Sequence, residues 1–117
     1  MINFNNRILN KNDQARVALR RFSDLSDSSS RTLFIFTDDK IMVGSLTDGD
    51  IRRGLLDGLE ISQPIHFFMN TNFKYINQLE KNKITIIKQF RENEIFIVPI
   101  LDSKNKIVDI LNLKQKK

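Results

Sequence analysis

Thr47 and Asp50 stand three residues apart where the apolar run Ile41 to Leu46 gives way to the charged stretch Thr47-Asp48-Gly49-Asp50-Ile51-Arg52-Arg53. A carboxylate at such a strand-to-helix junction can accept two hydrogen bonds from the cis-hydroxyls of a ribose. The free N–H groups of the helix's first turn, and its dipole, favour a phosphate nearby. Thr-x-x-Asp is equally the spacing of a capping box, in which the threonine oxygen takes the N3 amide and the acidic side chain reaches back. Both readings are open on spacing. Gly44, inside the apolar run, adds weight to the first, because a strand glycine usually marks a close approach to the backbone. The acidic pair Asp48 and Asp50 is accounted for by capping and hydroxyl binding. With no cysteine and no histidine beside a nucleophile, the chain by itself carries no catalytic set.

The segment recurs. Ile97 to Asp102 lines up with Leu33 to Asp38, and Ile107 to Asn112 with Met42 to Thr47, each pair of runs separated by a turn. Upstream, Ile8 answers Ile76, and the helical face Ala18, Leu19, Phe22 answers Ile86, Ile87, Phe90. The chain is an internal duplication of one structural unit, and two such units are expected to pack together. The second copy departs at the chemistry. Asn112 stands for Thr47, Gln115 for Asp50 and Asp109 for Gly44, so at most one well-formed ribose site is expected per chain.

A strand–helix–hairpin–helix unit, duplicated in about this length with a Gly-x-x-Thr-x-x-Asp ending to its hairpin, resembles the CBS domain pair, or Bateman module. More narrowly, three stretches resemble the pair at the N-terminus of certain bacterial sugar-phosphate nucleotidyltransferases. They are Thr47 to Gly58, Phe68 to Phe73, and Val98 to Asp102 with Lys106 to Ile110. The resemblance implies an α/β (α+β) fold of tandem CBS repeats, each a small sheet with two helices, packed with pseudo-two-fold symmetry. It implies a first repeat over 1–59, a linker over 60–72 and a second repeat over 73–117 that stops short of its last helix. It also implies a purine in the cleft between repeats, with Ile8, Phe34 and Ile35 lining it, Thr47, Asp48, Asp50 and Gly44 at the sugar, and Arg52 or Arg53 at phosphate. AMP, ADP, ATP and S-adenosylmethionine are the ligands to expect, none of them a required cofactor. A homodimer, paired through the helices that follow the hairpins, and a C-terminal nucleotidyltransferase domain are the expected partners. The other reading of the same fold is a ligand-free pair that joins subunits.

Composition excludes several classes. At 117 residues and 40% hydrophobic, the chain is the size of one domain and can bury roughly two-thirds of its unfolded surface. The absence of cysteine removes disulfides and thiolate metal sites and fits a reducing cytoplasm. No apolar run approaches membrane-spanning length, and Met1 to Arg7 lacks the layout of a signal peptide. The net charge of +5 owes much to Lys114, Lys116 and Lys117, and the phenylalanines fall at core spacings rather than among basic residues, so nucleic acid is not an expected partner. His66, the single histidine, is read as a partly buried structural side chain without chemistry or metal.

The elements that must position Thr47 and Asp50 follow from periodicity. Ile8-Leu9 reads as a short strand, and Asn12 or Asp13 as the cap of a helix with stripe Ala15, Ala18, Leu19, Phe22. Ser23 to Ser30 reads as a polar insertion loop. Thr32 to Phe36 and Ile41 to Leu46 form a hairpin. Asp50 to Asp57 is a helix turning Ile51, Leu55 and Leu56 inward, with Gly58 at C′. The group Ile65, Phe67, Phe68, Met69 reads as an apolar linker. In the second copy Lys83 to Arg91 is helical, and Ile95 to Leu101 and Lys106 to Leu111 form the hairpin.

Overall fold

The computed structural model describes residues 5–25 and 31–114, so the inserted Ser26–Ser30 stretch and Gln115 to Lys117 lie outside the described residues. The chain divides into two compact units, the first ending at Phe73 and the second beginning at Lys74. In the first, β1 (Ile8–Asn10) leads through α1 (Ala15–Asp24) to β2 (Thr32–Phe36), β3 (Met42–Thr47) and α2 (Asp48–Leu56). In the second, β4 (Ile76–Asn77), α3 (Lys83–Glu92), β5 (Ile97–Leu101) and β6 (Ile107–Asn112) follow in the same order. Each unit has a three-stranded sheet, β1-β2-β3 or β4-β5-β6, with the first pair parallel and the second antiparallel.

The duplication is visible in the register. Thr32 pairs with Thr47 and Phe36 with Met42, with an irregularity between Ile35 and Phe36. In the second hairpin Ile97 pairs with Asn112 and Leu101 with Ile107, with the irregularity between Ile100 and Leu101. Ile97 therefore answers Thr32, not Leu33. Likewise Leu9 opposite Ile35 matches Ile76 opposite Ile100, so Leu9 rather than Ile8 is the counterpart of Ile76. Leu9 and Ile76 are both buried, whereas Ile8 is half-buried. Pairing between β4 and β5 does not extend to Pro99, which has no N–H to give a ladder.

The two hairpin tips are the same turn made with different side chains. Thr37 N donates to the Ile41 carbonyl and Thr37 Oγ1 accepts from Ile41 N at 3.2 Å. Asp102 N donates to the Lys106 carbonyl, while Asp102 Oδ1 accepts from Lys104 N at 2.8 Å and Lys106 N at 3.0 Å. Those two backbone donors, more than the nearby lysine charges, hold the Asp102 carboxyl below its ordinary 3.8.

Alternation along β2 and β3 sorts the first unit's core. Leu9, Leu33, Ile35 and Leu46 pack with Ala15, Ala18 and Phe22 of α1 and Ile51 of α2. Ile65 and Phe68 of the connecting segment complete this cluster, with Met69 against it, but Phe67 points out and is exposed. His66 is exposed as well and lies against Phe67, ring centroids 4.5 Å apart; the expected partial burial is corrected by this turn of 3-10 helix (Ile65–Phe67), which faces Ile65 inward and its neighbours out.

Two further local expectations change. α1 has no side-chain cap: Asp13 Oδ2 instead accepts from Asn10 N. The helix's first amides are satisfied by the connecting segment, with Ala15 N donating to the Gln63 carbonyl and Arg16 N to the Ile61 carbonyl, each at 2.9 Å. α2 begins at Asp48, and its inner face is Ile51 and Gly54. Leu55 and Leu56 are 40% and 80% exposed: Leu56 lies about 140° round the helix from Ile51, whereas Leu55 shares the Ile51 face but opens into the groove between α1 and α2. Gly58 closes α2 at C′ with φ 103°; its N–H donates to Leu55 and that of Leu59 to Gly54, the double bond of a Schellman ending.

Two tests follow from these contacts. A Cβ on Gly54 would meet the ring of Phe68; alanine improves helix propensity by about 1 kcal/mol, yet overpacking costs about 1–3 kcal/mol. Gly54→Ala is therefore expected to lower the urea midpoint. A gain in stability would show that the ring moves aside freely. Because the Asp102 carboxyl is held low in the fold, its contribution is present above 3.8 and fades as pH falls through its depressed folded value. Protection of the Lys104 and Lys106 amides, measured relative to their intrinsic exchange rates at each pH, is expected to fall across that acid range, and Asp102→Asn should abolish that change in protection.

Candidate functional site

The end of β3 and the start of α2 hold the candidate ligand-binding residues. Thr47 is in extended conformation, with φ −116° and ψ 166°, and forms the N-cap of α2. Its Oγ1 accepts from Asp50 N at 3.2 Å, and Asp50 Oδ2 accepts from Thr47 N at 2.9 Å. The capping box is thus formed. Asp50 Oδ1 accepts from the Arg53 guanidinium in an ion pair one turn along the helix; the Asp50 side chain is 15% exposed and that of Arg53 69%. An ionised carboxylate offers about four lone-pair sites, so the cap and the arginine leave each oxygen one to offer.

Register places the other candidates. Ile8 pairs with Phe34, Phe34 with Ser45, and Thr32 with Thr47, so these side chains lie on one face of the sheet. Ile8 is half-buried and Phe34 buried. Ile35 is on the opposite face, inside the core with α1 and α2; its expected place beside Phe34 is corrected by the two-residue period of the strand. Gly44 shares the core face. A Cβ there would come within 2.5 Å of Met69 Sδ and 3.2 Å of the Asn70 carbonyl. The close approach signalled by this glycine is thus that of the chain's own connecting segment. Ser45 N donates to the Asn70 carbonyl at 2.9 Å and Asn70 N to the Ser45 carbonyl at 2.8 Å.

Asp48, the first residue of α2, faces a groove of about 350 Å³ between α1 and α2, lined by Leu19, Phe22, Ile51 and Leu55 with Arg31 and Arg52. Arg52 and Asp48 therefore share a place that neither Thr47 nor Asp50 lines. Three polar residues escaped the sequence reading. Thr32 and Ser45 follow from the two-residue period counted back from Thr47 and across the hairpin. Arg7, whose Nη1 donates to the Thr32 carbonyl at 3.0 Å, comes to this strand end by the fold alone.

In the second unit the corresponding corner is built differently. Asp109 occupies Gly44's position and accepts from Ile110 N at 2.8 Å. Leu113, at the position of Asp48, is buried and donates its N–H to the Phe96 carbonyl at 2.6 Å, so the chain runs on past β6 instead of opening a helix there. Gln115, the counterpart of Asp50, lies outside the described residues. Among the described residues no group of His, Cys, Asp or Glu gathers as metal ligands, and no helix is long and apolar enough to cross a membrane.

The duplicated unit, with its parallel-then-antiparallel sheet and matched register, can be set beside solved structures. The cystathionine beta-synthase (CBS) pair domain of a putative Mg2+ transporter from Shewanella oneidensis MR-1 superposes with a TM-score of 0.76, over 95% of this chain and 61% of that one. The fold is that of a CBS pair. The same CBS-pair fold is found in CBSX2, solved in complex with AMP, with a TM-score of 0.67 over 90% of this chain and 79% of that one. Identity is 14% in both comparisons, so the likeness is one of fold. No protein-family model matches the chain. In sequence the chain is 26% identical over 92 residues to an uncharacterized protein of Helicobacter pylori (strain J99), a match that covers 79% of this chain and 28% of that protein. The match thus spans less than a third of that relative's length.

The capping box sets a measurable baseline. Thr47→Ala and Asp50→Ala are each expected to cost about 1 kcal/mol without any ligand, read from urea unfolding. Arg53→Ala should cost less than about 0.5 kcal/mol, because its pair with Asp50 is exposed on the arginine side. An arginine effect as large as the others would mean that the ion pair, not the cap, anchors the helix.

Proposed function

We propose that this CBS pair is a regulatory ligand-binding module that senses an adenine or other purine nucleotide in the cytoplasm and adjusts a sugar-phosphate nucleotidyltransferase domain of the same polypeptide. The observation that carries the reading is the Asp50 carboxylate, fixed at the first turn of α2 with one acceptor site left on each oxygen. A ribose diol needs two acceptors at that separation. Thr47 and, on the same sheet face, Ser45 and Thr32 add hydroxyls, while Ile8 and Phe34 give an apolar surface for a base. Arg53 is exposed enough to leave the carboxylate and meet a phosphate, and the first-turn amides of α2 favour the same charge. The AMP complex of CBSX2 supports an adenine nucleotide. The likeness of Thr47–Gly58, Phe68–Phe73 and the second hairpin to nucleotidyltransferase-linked pairs supports the partner domain, as does the greater length of the matched relative.

Two charge-assisted hydrogen bonds supply about 3–6 kcal/mol, and association costs about 4 kcal/mol or more. Apolar burial of the base must supply the remainder, and the net of about 4–8 kcal/mol corresponds to millimolar to micromolar affinity. That range suits an abundant metabolite.

A second reading has its own observation. The cap and the Arg53 pair already engage both oxygens of Asp50, and α2 presents Leu55 and Leu56 to solvent, so a ligand-free module that pairs subunits through its helices also fits. Thermal unfolding in AMP, ADP, ATP or S-adenosylmethionine separates the two. A millimolar ligand of micromolar affinity raises stability by about 4 kcal/mol, expected in the wild type and absent in Asp50→Ala. A transition that no nucleotide moves, from a chain that scatters light as a dimer, would sink the sensor and leave the pairing module.

A further inference from the structure

The chain has no cysteine, so the thioethers are its softest groups toward a peroxide. Of the three methionines, Met1 lies outside the described residues and Met42 is only 2% exposed. Met69 is half-buried, in the connecting segment where that segment meets β3. A Cβ on Gly44 would stand 2.5 Å from Met69 Sδ and 2.9 Å from its Cγ, so the sulfur rests directly on the strand's backbone. The same side chain packs against the first unit's apolar cluster. Asn70, the next residue, exchanges two backbone hydrogen bonds with Ser45, at 2.8 and 2.9 Å. Ser45 in turn is two residues before Thr47, the N-cap of α2.

We infer that Met69 is a site of reversible oxidation whose sulfoxide lifts the connecting segment off β3. In this step the O–O bond of a peroxide breaks and one oxygen bonds to Sδ. The sulfur is oxidised by two electrons, and the peroxide is reduced to water or an alcohol. The new oxygen is a polar acceptor with nowhere to go inside the fold. Toward Gly44 the space is already too small for one more carbon. Toward the cluster it would be buried among apolar side chains without a donor. It reaches water only if the side chain turns outward, which withdraws the contact on Gly44 and loosens the two bonds that hold Asn70 to Ser45. A methionine sulfoxide reductase, drawing two electrons from a thiol, restores the thioether. Residues 74–117 contain no methionine. Asp109 stands at Gly44's position there and accepts from Ile110 N, so the sensitivity belongs to the first unit. The inference goes beyond nucleotide binding and needs no ligand, so a failed nucleotide titration leaves it standing.

The test is hydrogen peroxide treatment of the folded chain, followed by peptide mass spectrometry and amide hydrogen exchange. Met69 is expected to gain one oxygen well before Met42. In the oxidised chain the Ser45 and Asn70 amides should exchange at least about tenfold faster, while the β5 amides keep their rates. A methionine sulfoxide reductase should return the slow exchange. Met69→Leu keeps an apolar side chain of similar volume, and its Ser45 and Asn70 amides should pass through the same treatment unchanged. Oxidation of Met42 as fast as Met69 would overturn the inference. So would a Met69 sulfoxide that leaves both amides protected, or a quickening by peroxide that persists in Met69→Leu.

Discussion

The first unit depends on the return of residues 60–70 along its own helix start and strand edge. Gln63 and Ile61 accept from the first amides of α1, Ile65 and His66 donate back to Asp13 and Lys11, and Asn70 exchanges two bonds with Ser45. A helix start buried in this way needs no side-chain cap, which is why Asn12 and Asp13 do other things. Gly44 and Gly54 are the steric conditions for the return: one lets Met69 and Asn70 reach β3, and the other lets Phe68 settle against α2. The connecting segment is therefore part of the unit's core rather than a tether, and Thr47 owes its position to it as much as to the hairpin.

The strands and helices were legible in the sequence because their apolar periods are clear, and the hairpin runs came within two residues of their observed ends. The duplication was legible too, but its offset slipped at β1 and β2, where neighbouring apolar residues make adjacent registers look alike. Only the pairing of Leu9 with Ile35 and of Thr32 with Thr47 settles it. Leu55 and Leu56 misled because a hydrophobic residue in a short helix carries no label for the face it occupies. Gly44 was correctly read as a close approach, yet what approaches it comes from 25 residues downstream, and no local pattern encodes that.

At the candidate site the spacing of Thr47 and Asp50 was enough to foresee the capping box, since that motif is local. Which lone pairs remain, and which hydroxyls share their face, depends on register. Ile35 illustrates the limit: it adjoins Phe34 in sequence, and the strand's alternation sends it to the other side of the sheet. The same corner in the second unit shows how little change removes a binding geometry. Leu113 in place of Asp48 is buried and continues the pairing with Phe96, where Asp48 opens α2.

Asp109 has a consequence for the molecule's behaviour among its own copies. β6 is the outer strand of its sheet, and an outer strand with open amides is a template for indefinite edge-to-edge growth. By turning its carboxylate onto the neighbouring amide of Ile110, Asp109 both withdraws a donor from that template and sets a negative charge beside it. The equivalent donor of the first unit, Ser45 N, is taken up by the Asn70 carbonyl, so the two sheets close the same point of their outer strands by different means, one with a distant stretch of backbone and the other with a single side chain.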